Sequence, residues 1–384
     1  MATDPGDRPQ GGAASGLFPV LHSIATAPRE PLSFAALRLA IDAGIGPLVH
    51  YLYNPTFRKA RTLTLSTLSQ GADTAARMLT GQMLDGLIDV LHAFGPRAED
   101  VIVLKGMATS LRHYPEPHLR TMGDIDLLVP RAYHDSLADA LRALGYHQVD
   151  DQPPGFFTKH HHSAPFFHPI RQIWIELHTS LLPPWSHARY DPCFEIEQLD
   201  RHTVDLRVGN VRTRCLDDTL HLVFTCEHWI ERFDQERGLV PLVDVLMLHR
   251  HSGIDWDAVL ASVRGGRAAD SVGLVTDYLF SRRLMNVPRS VRDALLREAR
   301  GTNTLTRSVL HNLIDRYLVR RNHFGRALSE NNVSLTWAVL LDSRSPARNL
   351  TRLPLALMFP PDHPKRFHPS LAATRLRSLL RANR

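Results

Sequence analysis

The chain has 384 residues, 43% of them hydrophobic, with 45 Lys and Arg against 39 Asp and Glu for a formal net charge of +6. Such a length suggests two or three domains with ordinary soluble cores, and the mild positive balance favours an anionic partner, a nucleotide or nucleic acid, without choosing one. Three cysteines (Cys193, Cys215, Cys226) without C-x-x-C spacing exclude a disulfide framework or zinc ribbon; no apolar run reaches membrane-spanning length and the start lacks a signal-peptide pattern, so the expected location is cytoplasmic, without membrane insertion.

Residues 1–16 are rich in Gly, Pro, Asp and Ala and are expected to be disordered. A helical lead-in is predicted over 17–97. Apolar residues recur at helical spacing from Pro31 to Tyr53 and again from Ala75 to Phe94, where Met78, Met83, Leu84, Leu87, Ile88 and Leu91 share a face. Gly95-Pro96 ends that run. The core region, 98–185, alternates strand and helix. It opens with VIVLKGMATSLRHYPEPHLRTMGDIDLLVP, residues 101–130. Val101 to Leu104 has the composition of a buried strand that stops at Lys105-Gly106, followed by a short helix to about His113. A loop rich in Pro and His leads to Arg120, and Gly123-Asp124-Ile125-Asp126 flows into Leu127-Leu128-Val129.

Pro130 then starts a helix whose Tyr133, Leu137, Leu141 and Leu144 align, closed by Gly145. Tyr146 to Val149 begins another strand, and a Pro153-Pro154-Gly155 turn precedes an aromatic, His-rich run from Phe156 to His168. Ile173 to His178 reads as a strand with Trp174, Glu176 and His178 on one face. Residues 186–343 read as mainly helical, and 344–384 form a basic, Pro-containing tail without interleaved stacking aromatics.

The chemistry concentrates at Asp124 and Asp126. Two apart on a strand, they project together while Ile125 and Leu127 face the sheet core. Adjacent carboxylates at the mouth of an apolar strand repel and desolvate poorly, and a divalent cation is the usual compensation. A solvated turn is the plain alternative. Backbone N–H groups at the Gly106 turn can approach phosphate, and Lys105 and Arg120 add positive charge.

The order of apolar strand, Gly, short helix and Asp-x-Asp resembles the nucleotidyltransferase (DNA polymerase beta-like) superfamily. More closely, LKG, YPEP and RTMGDIDLLV resemble the bacterial family of uncharacterised nucleotidyltransferases, and PLALMFPPD followed by a basic helix resembles how its members end. Gly106 is followed by Met107 where most of the superfamily has Ser, and the connection to Asp124 is longer. The resemblance implies an α+β nucleotidyltransferase fold, a mixed sheet with flanking helices and helical regions at both ends. It implies transfer of a nucleoside monophosphate from a triphosphate such as ATP to an unidentified acceptor, with two Mg²⁺ ions (Mn²⁺ the substitute) clamping the reacting oxygens. The catalytic and metal set would be Asp124, Asp126 and Glu176, and the nucleotide set Lys105, Gly106, Arg120 and Gly123.

Plainer readings stand beside these. Glu176 suits a solvent-facing charge, and Arg120 a loop-fixing pair with Asp124. His178 suits a ligand, an acceptor contact or a satisfied buried His. Among His160, His161, His162 and His168, strand alternation lets only His160 and His162 act together, as acceptor-pocket residues. Glu227, His228 and Asp244 suit either closure over a nucleotide or helix–helix contacts. Two other functions remain open: a degenerate binding protein of the same fold, and a transferase directed at RNA or tRNA.

Overall fold

The structure is a computed structural model that describes residues 16–315 and Val319, apart from 29–31, 60–62, 151, 153–155, 158–159, 185, 233–237 and 300–303. The expected disorder before residue 16, the 153–155 turn and the basic tail lie outside the described residues.

Four helices lead in: α1 (Phe18–Ala25), α2 (Phe34–Asp42), α3 (Gly46–Lys59) and α4 (Leu63–Phe94). The Ser33 hydroxyl accepts from the Ala36 N–H at 3.2 Å and so caps α2. The single periodic run predicted from Pro31 to Tyr53 is two helices, because Gly44 takes a left-handed φ of +80° between them. Helix α4 begins twelve residues before the predicted Ala75, through a stretch of Thr, Ser and Gly whose apolar periodicity is thin.

The strands are β1 (Ile102–Val103), β2 (Asp124–Leu128), β3 (His147–Gln148), β4 (Phe166–His168), β5 (Ile173–His178), β6 (Thr203–Val208) and β7 (Val211–Leu216). They form one mixed sheet in the order β3-β4-β5-β2-β1-β7-β6. Strand β2 lies antiparallel to β1 and parallel to β5, and β1 lies parallel to β7. This is the expected α+β arrangement. The stretch predicted as mainly helical after residue 186 nevertheless supplies the β6–β7 hairpin. Val208 pairs with Val211 across the two-residue turn Gly209-Asn210. Gly209 has φ +60°, and a Cβ there would lie 2.9 Å from Ile88 Cδ1, so both the turn and the approach of α4 require glycine.

Alternation along β2 and β5 divides the molecule. Ile125 and Leu127, with Ile173, Ile175 and Leu177, face Met83, Leu87, Val90 and Leu91 of α4 and Leu137 and Leu141 of α6 (His134–Ala143). These side chains are almost wholly buried, so a Leu87→Ala truncation would cost about 2–5 kcal/mol. The other face carries Asp124, Asp126 and Leu128 beside Trp174, Glu176 and His178. There Ile102 and Leu128 join a larger core, shared by α1–α3 with α7 (Asp218–Arg232), α8 (Val240–His251), α9 (Trp256–Val263) and α10 (Ala268–Ser281). The helices before and after the sheet thus share one apolar core. Arg250 Nη1 of α8 also donates to the Ile24 carbonyl of α1 at 2.8 Å. Helices α11 (Arg289–Glu298) and α12 (Thr304–Ile314) complete the described chain, in which no helix is long and apolar enough to cross a membrane.

Candidate active site

Parallel pairing of β2 with β5 puts Asp126 directly opposite Glu176, and Leu128 opposite His178. Their alternation directs Asp126, Glu176 and His178 to one side, where one ligand atom from each lies within 4.8 Å of the other two. His178 is fully buried, with Nε2 2.8 Å from Asp126 Oδ1 and 3.6 Å from Glu176 Oε2. Asp124, paired with Trp174, lies two residues upstream on the same face but outside that trio, and its carboxylate takes no hydrogen bond among the described residues.

The charges are unevenly settled. Asp126 is 2% exposed, and burial alone would raise its pKa. Lys105 Nζ, 2.7 Å from Oδ1, and the His178 hydrogen bond overcome that and hold it well below the usual carboxylate range. Asp124 goes the other way: burial, then the Asp126 charge, push its carboxyl up to about 6. Burial also opposes ionisation of Glu176, yet the His178 hydrogen bond and the positive charge of Lys105 bring it below its ordinary value. One acid of the three is left uncompensated.

Lys105 and Gly106 open helix α5 (Lys105–His113). A Cβ on Gly106 would fall on Arg120 Nη1, 3.0 Å from its Cζ and 3.2 Å from Met122 Cβ. In this fold the glycine admits the arginine. Arg120 does not pair with Asp124; its Nη2 reaches Asp244 Oδ2 of α8 at 2.9 Å and its Nε lies 3.3 Å from both oxygens. Tyr114 donates its hydroxyl to Asp244 Oδ1 at 2.8 Å. The structure therefore gives Arg120 a carboxylate partner that the 124-residue separation hides. A lone acid amid the apolar VPLVDVLML of α8 is the local sign that such a partner exists. Gly123 is an exposed bend just before β2. Glu227 is buried in α7 and accepts from Ser186 Oγ at 3.2 Å, and His228 lies against Phe224 with ring centroids 5.9 Å apart.

The alternation argument for the histidines fails because residues 160 and 161 bend and His162 makes only an isolated bridge, so no regular strand runs through them. His160, His161 and His162 instead offer ligand atoms within 4.8 Å of one another, and the His161 ring lies tilted against His178 with centroids 5.0 Å apart. His162 bridges His178 in the sheet, its Nε2 3.9 Å from Glu176 Oε2. Burial keeps both His161 and His162 below their ordinary pKa, hence neutral. His168, the fourth, packs edge-on to Tyr146.

Beside this wall opens a cavity of about 850 Å³, floored by Ile102 and Leu128 and lined by His160, His162, Thr179 and Arg214. Leu128 is two residues beyond Asp126 on the same strand, so the cavity shares the carboxylate face of the sheet.

The model of a family described as "Uncharacterised nucleotidyltransferase" matches residues 34–282, from the start of α2 to the residue after α10. No curated protein and no solved structure matches the chain. The match spans well over half of the 384 residues and contains the whole sheet and all three carboxylates: the chain belongs to this nucleotidyltransferase family.

Proposed function

We propose that the protein is a divalent-cation-dependent nucleotidyltransferase that moves a nucleoside monophosphate from a triphosphate to an acceptor bound in the cavity over Leu128. The observation that carries this reading is the β2–β5 register, which sets Asp126 against Glu176 with Asp124 upstream on the same face. The donor set suits a cation: carboxylate oxygens converge with an imidazole nitrogen, and Asp124 stays without a hydrogen-bonding partner. Asp124, Asp126 and Glu176 would hold Mg²⁺ or Mn²⁺, and the bound ion would offset charge on the reacting phosphate. His178, fixed between the two paired acids, orients Asp126 and Glu176. The nucleotide would lie over the Lys105-Gly106 turn, and the acceptor would approach past His162, which touches both Glu176 and the cavity.

The test is incubation with each α-labelled triphosphate and Mg²⁺ or Mn²⁺ across panels of small-molecule, protein and tRNA acceptors, following pyrophosphate and labelled product. Cation-dependent release is expected, reduced at least about 100-fold by Asp126→Asn or Glu176→Gln, the scale of losing transition-state charge stabilisation. Turnover indifferent to both substitutions would remove this reading. Nucleotide binding without any pyrophosphate release would leave a binding protein of the same fold.

A further inference from the structure

Two cations shared by the aspartates are the expectation for this chemistry, but the local geometry leaves little room for both. Lys105 reaches Asp126 Oδ1 at 2.7 Å, and His178 Nε2 reaches the same oxygen at 2.8 Å. The lysine and aspartate side chains are 16% and 3% exposed, so the pair lies inside the site. An aspartate bridging two metal ions must present lone pairs from both oxygens; here one oxygen already receives two nitrogens.

The backbone holds the lysine there. Lys105 is one of three non-glycine residues with positive φ among the described residues, at +46°, a conformation that costs a side-chain-bearing residue about 1–2 kcal/mol. The Leu104 N–H donates to the Asp126 carbonyl at 2.9 Å, which fastens the turn alongside β2. The Lys105 carbonyl accepts from Thr109 Oγ1 at 2.7 Å, and that hydroxyl lies 2.8 Å from His221 Nε2. A strained residue whose carbonyl is held and whose preceding residue is fastened to β2, with its ammonium on a buried carboxylate, is built to stay.

We infer that Lys105 fills one of the two cation positions, so that the site takes a single divalent ion held by Asp124 and Glu176 with the free oxygen of Asp126. The inference rests on the cation-dependent reading above. Charge agrees with it. Above about pH 6, where Asp124 is ionised along with Asp126 and Glu176, the three acids carry −3 and Lys105 leaves −2, which one divalent ion cancels. A second ion beside the ammonium would bring a net positive charge into a partly buried site before any triphosphate arrived.

The test is a titration with Mn²⁺ alone, read by electron paramagnetic resonance for stoichiometry and for spin coupling between ions about 4 Å apart. Wild type is expected to bind one uncoupled Mn²⁺, Lys105→Arg also one, and Lys105→Met two that are coupled. Lys105→Gln replaces Lys105→Met if the latter fails to fold by circular dichroism. Two coupled ions in the wild type, or one ion in the uncharged variant, would overturn the role of Lys105 while leaving the cation site standing. No Mn²⁺ bound by the wild type would instead remove the cation-dependent reading, and this inference with it.

Discussion

Asp124 and Asp244 are both acids near Arg120, and the structure treats them in opposite ways. Asp244 of α8 takes the guanidinium through Nη2 and Nε and also accepts the Tyr114 hydroxyl. Its lone pairs are spent inside the protein. Asp124 feels the Arg120 charge but gains no hydrogen bond, and it faces Asp126 and Glu176. An acid satisfied by its own chain fixes architecture, because removing its partner strands a buried charge. An acid left short of partners and beside like charges is held ready for something from outside. Arg120 thus joins α8 to the loop before β2, and the start of β2 keeps its unmet charge.

Breaking the satisfied cluster should give the largest effect. Arg120→Met leaves Asp244, only 3% exposed, without its cation, and should lower unfolding free energy by about 3–5 kcal/mol in urea denaturation. Arg120→Lys should recover only part of this, since an ammonium cannot reproduce the planar fork. A loss below about 1 kcal/mol, joined to selectively weaker triphosphate binding, would move Arg120 from the scaffold into the nucleotide site.

Glu227 tests the same contrast within the helices, as an acid buried with hydroxyl partners and, among the described residues, without an ion pair. Burial pushes its carboxyl up to about 7, against hydrogen bonds from Ser271 and Ser186. A carboxyl raised on folding binds its proton more tightly in the native state. Its contribution is therefore complete below the unfolded value near 4.5 and is lost as pH rises through about 7. Relative to Glu227→Gln, wild type should lose up to about 3 kcal/mol between pH 5 and pH 8. Equal pH dependence of melting temperature in the two proteins would show that Glu227 is not buried as described.

How much of this was legible in the chain follows from the range of each signal. GDIDLLV and IWIELH announce their strands because polar and apolar residues alternate over a few positions, and the phase of Asp124, Asp126 and Glu176 comes with it. That the two strands are parallel neighbours is not a local property; the resemblance implied only that their acids act together, and the pairing comes from the structure. The β6–β7 hairpin is legible too, since Val204, Leu206 and Val208 alternate with Thr203, Asp205 and Arg207 ahead of a Gly-Asn turn, a short signal that a mainly helical reading of 186–343 leaves out. The histidines mislead for another reason: strand alternation was extended through a bend. Arg120 shows a last limit, since no spacing rule joins it to an acid on a helix 124 residues away.

The smallest expected change in stability separates the two kinds of acid most sharply. Asp124→Asn removes a carboxylate that accepts no hydrogen bond and that Asp126 and Glu176 repel. Its carboxyl is raised from the ordinary 3.8 to about 6, so the ionisation penalty is absent below 3.8, grows between the two values, and is complete by pH 8. At pH 8 the variant should be more stable than wild type by about 1–2 kcal/mol, an amount reduced by the partial exposure of the group, and at about pH 3 the two should coincide. Stability and ligand response should then part company. Mn²⁺ should raise the melting temperature of wild type through binding to the native state, and that rise should vanish in Asp124→Asn while Glu227→Gln keeps it. A variant that melts lower than wild type at pH 8 would show that Asp124 is satisfied after all. One that gains stability yet still responds fully to Mn²⁺ would place the cation away from Asp124.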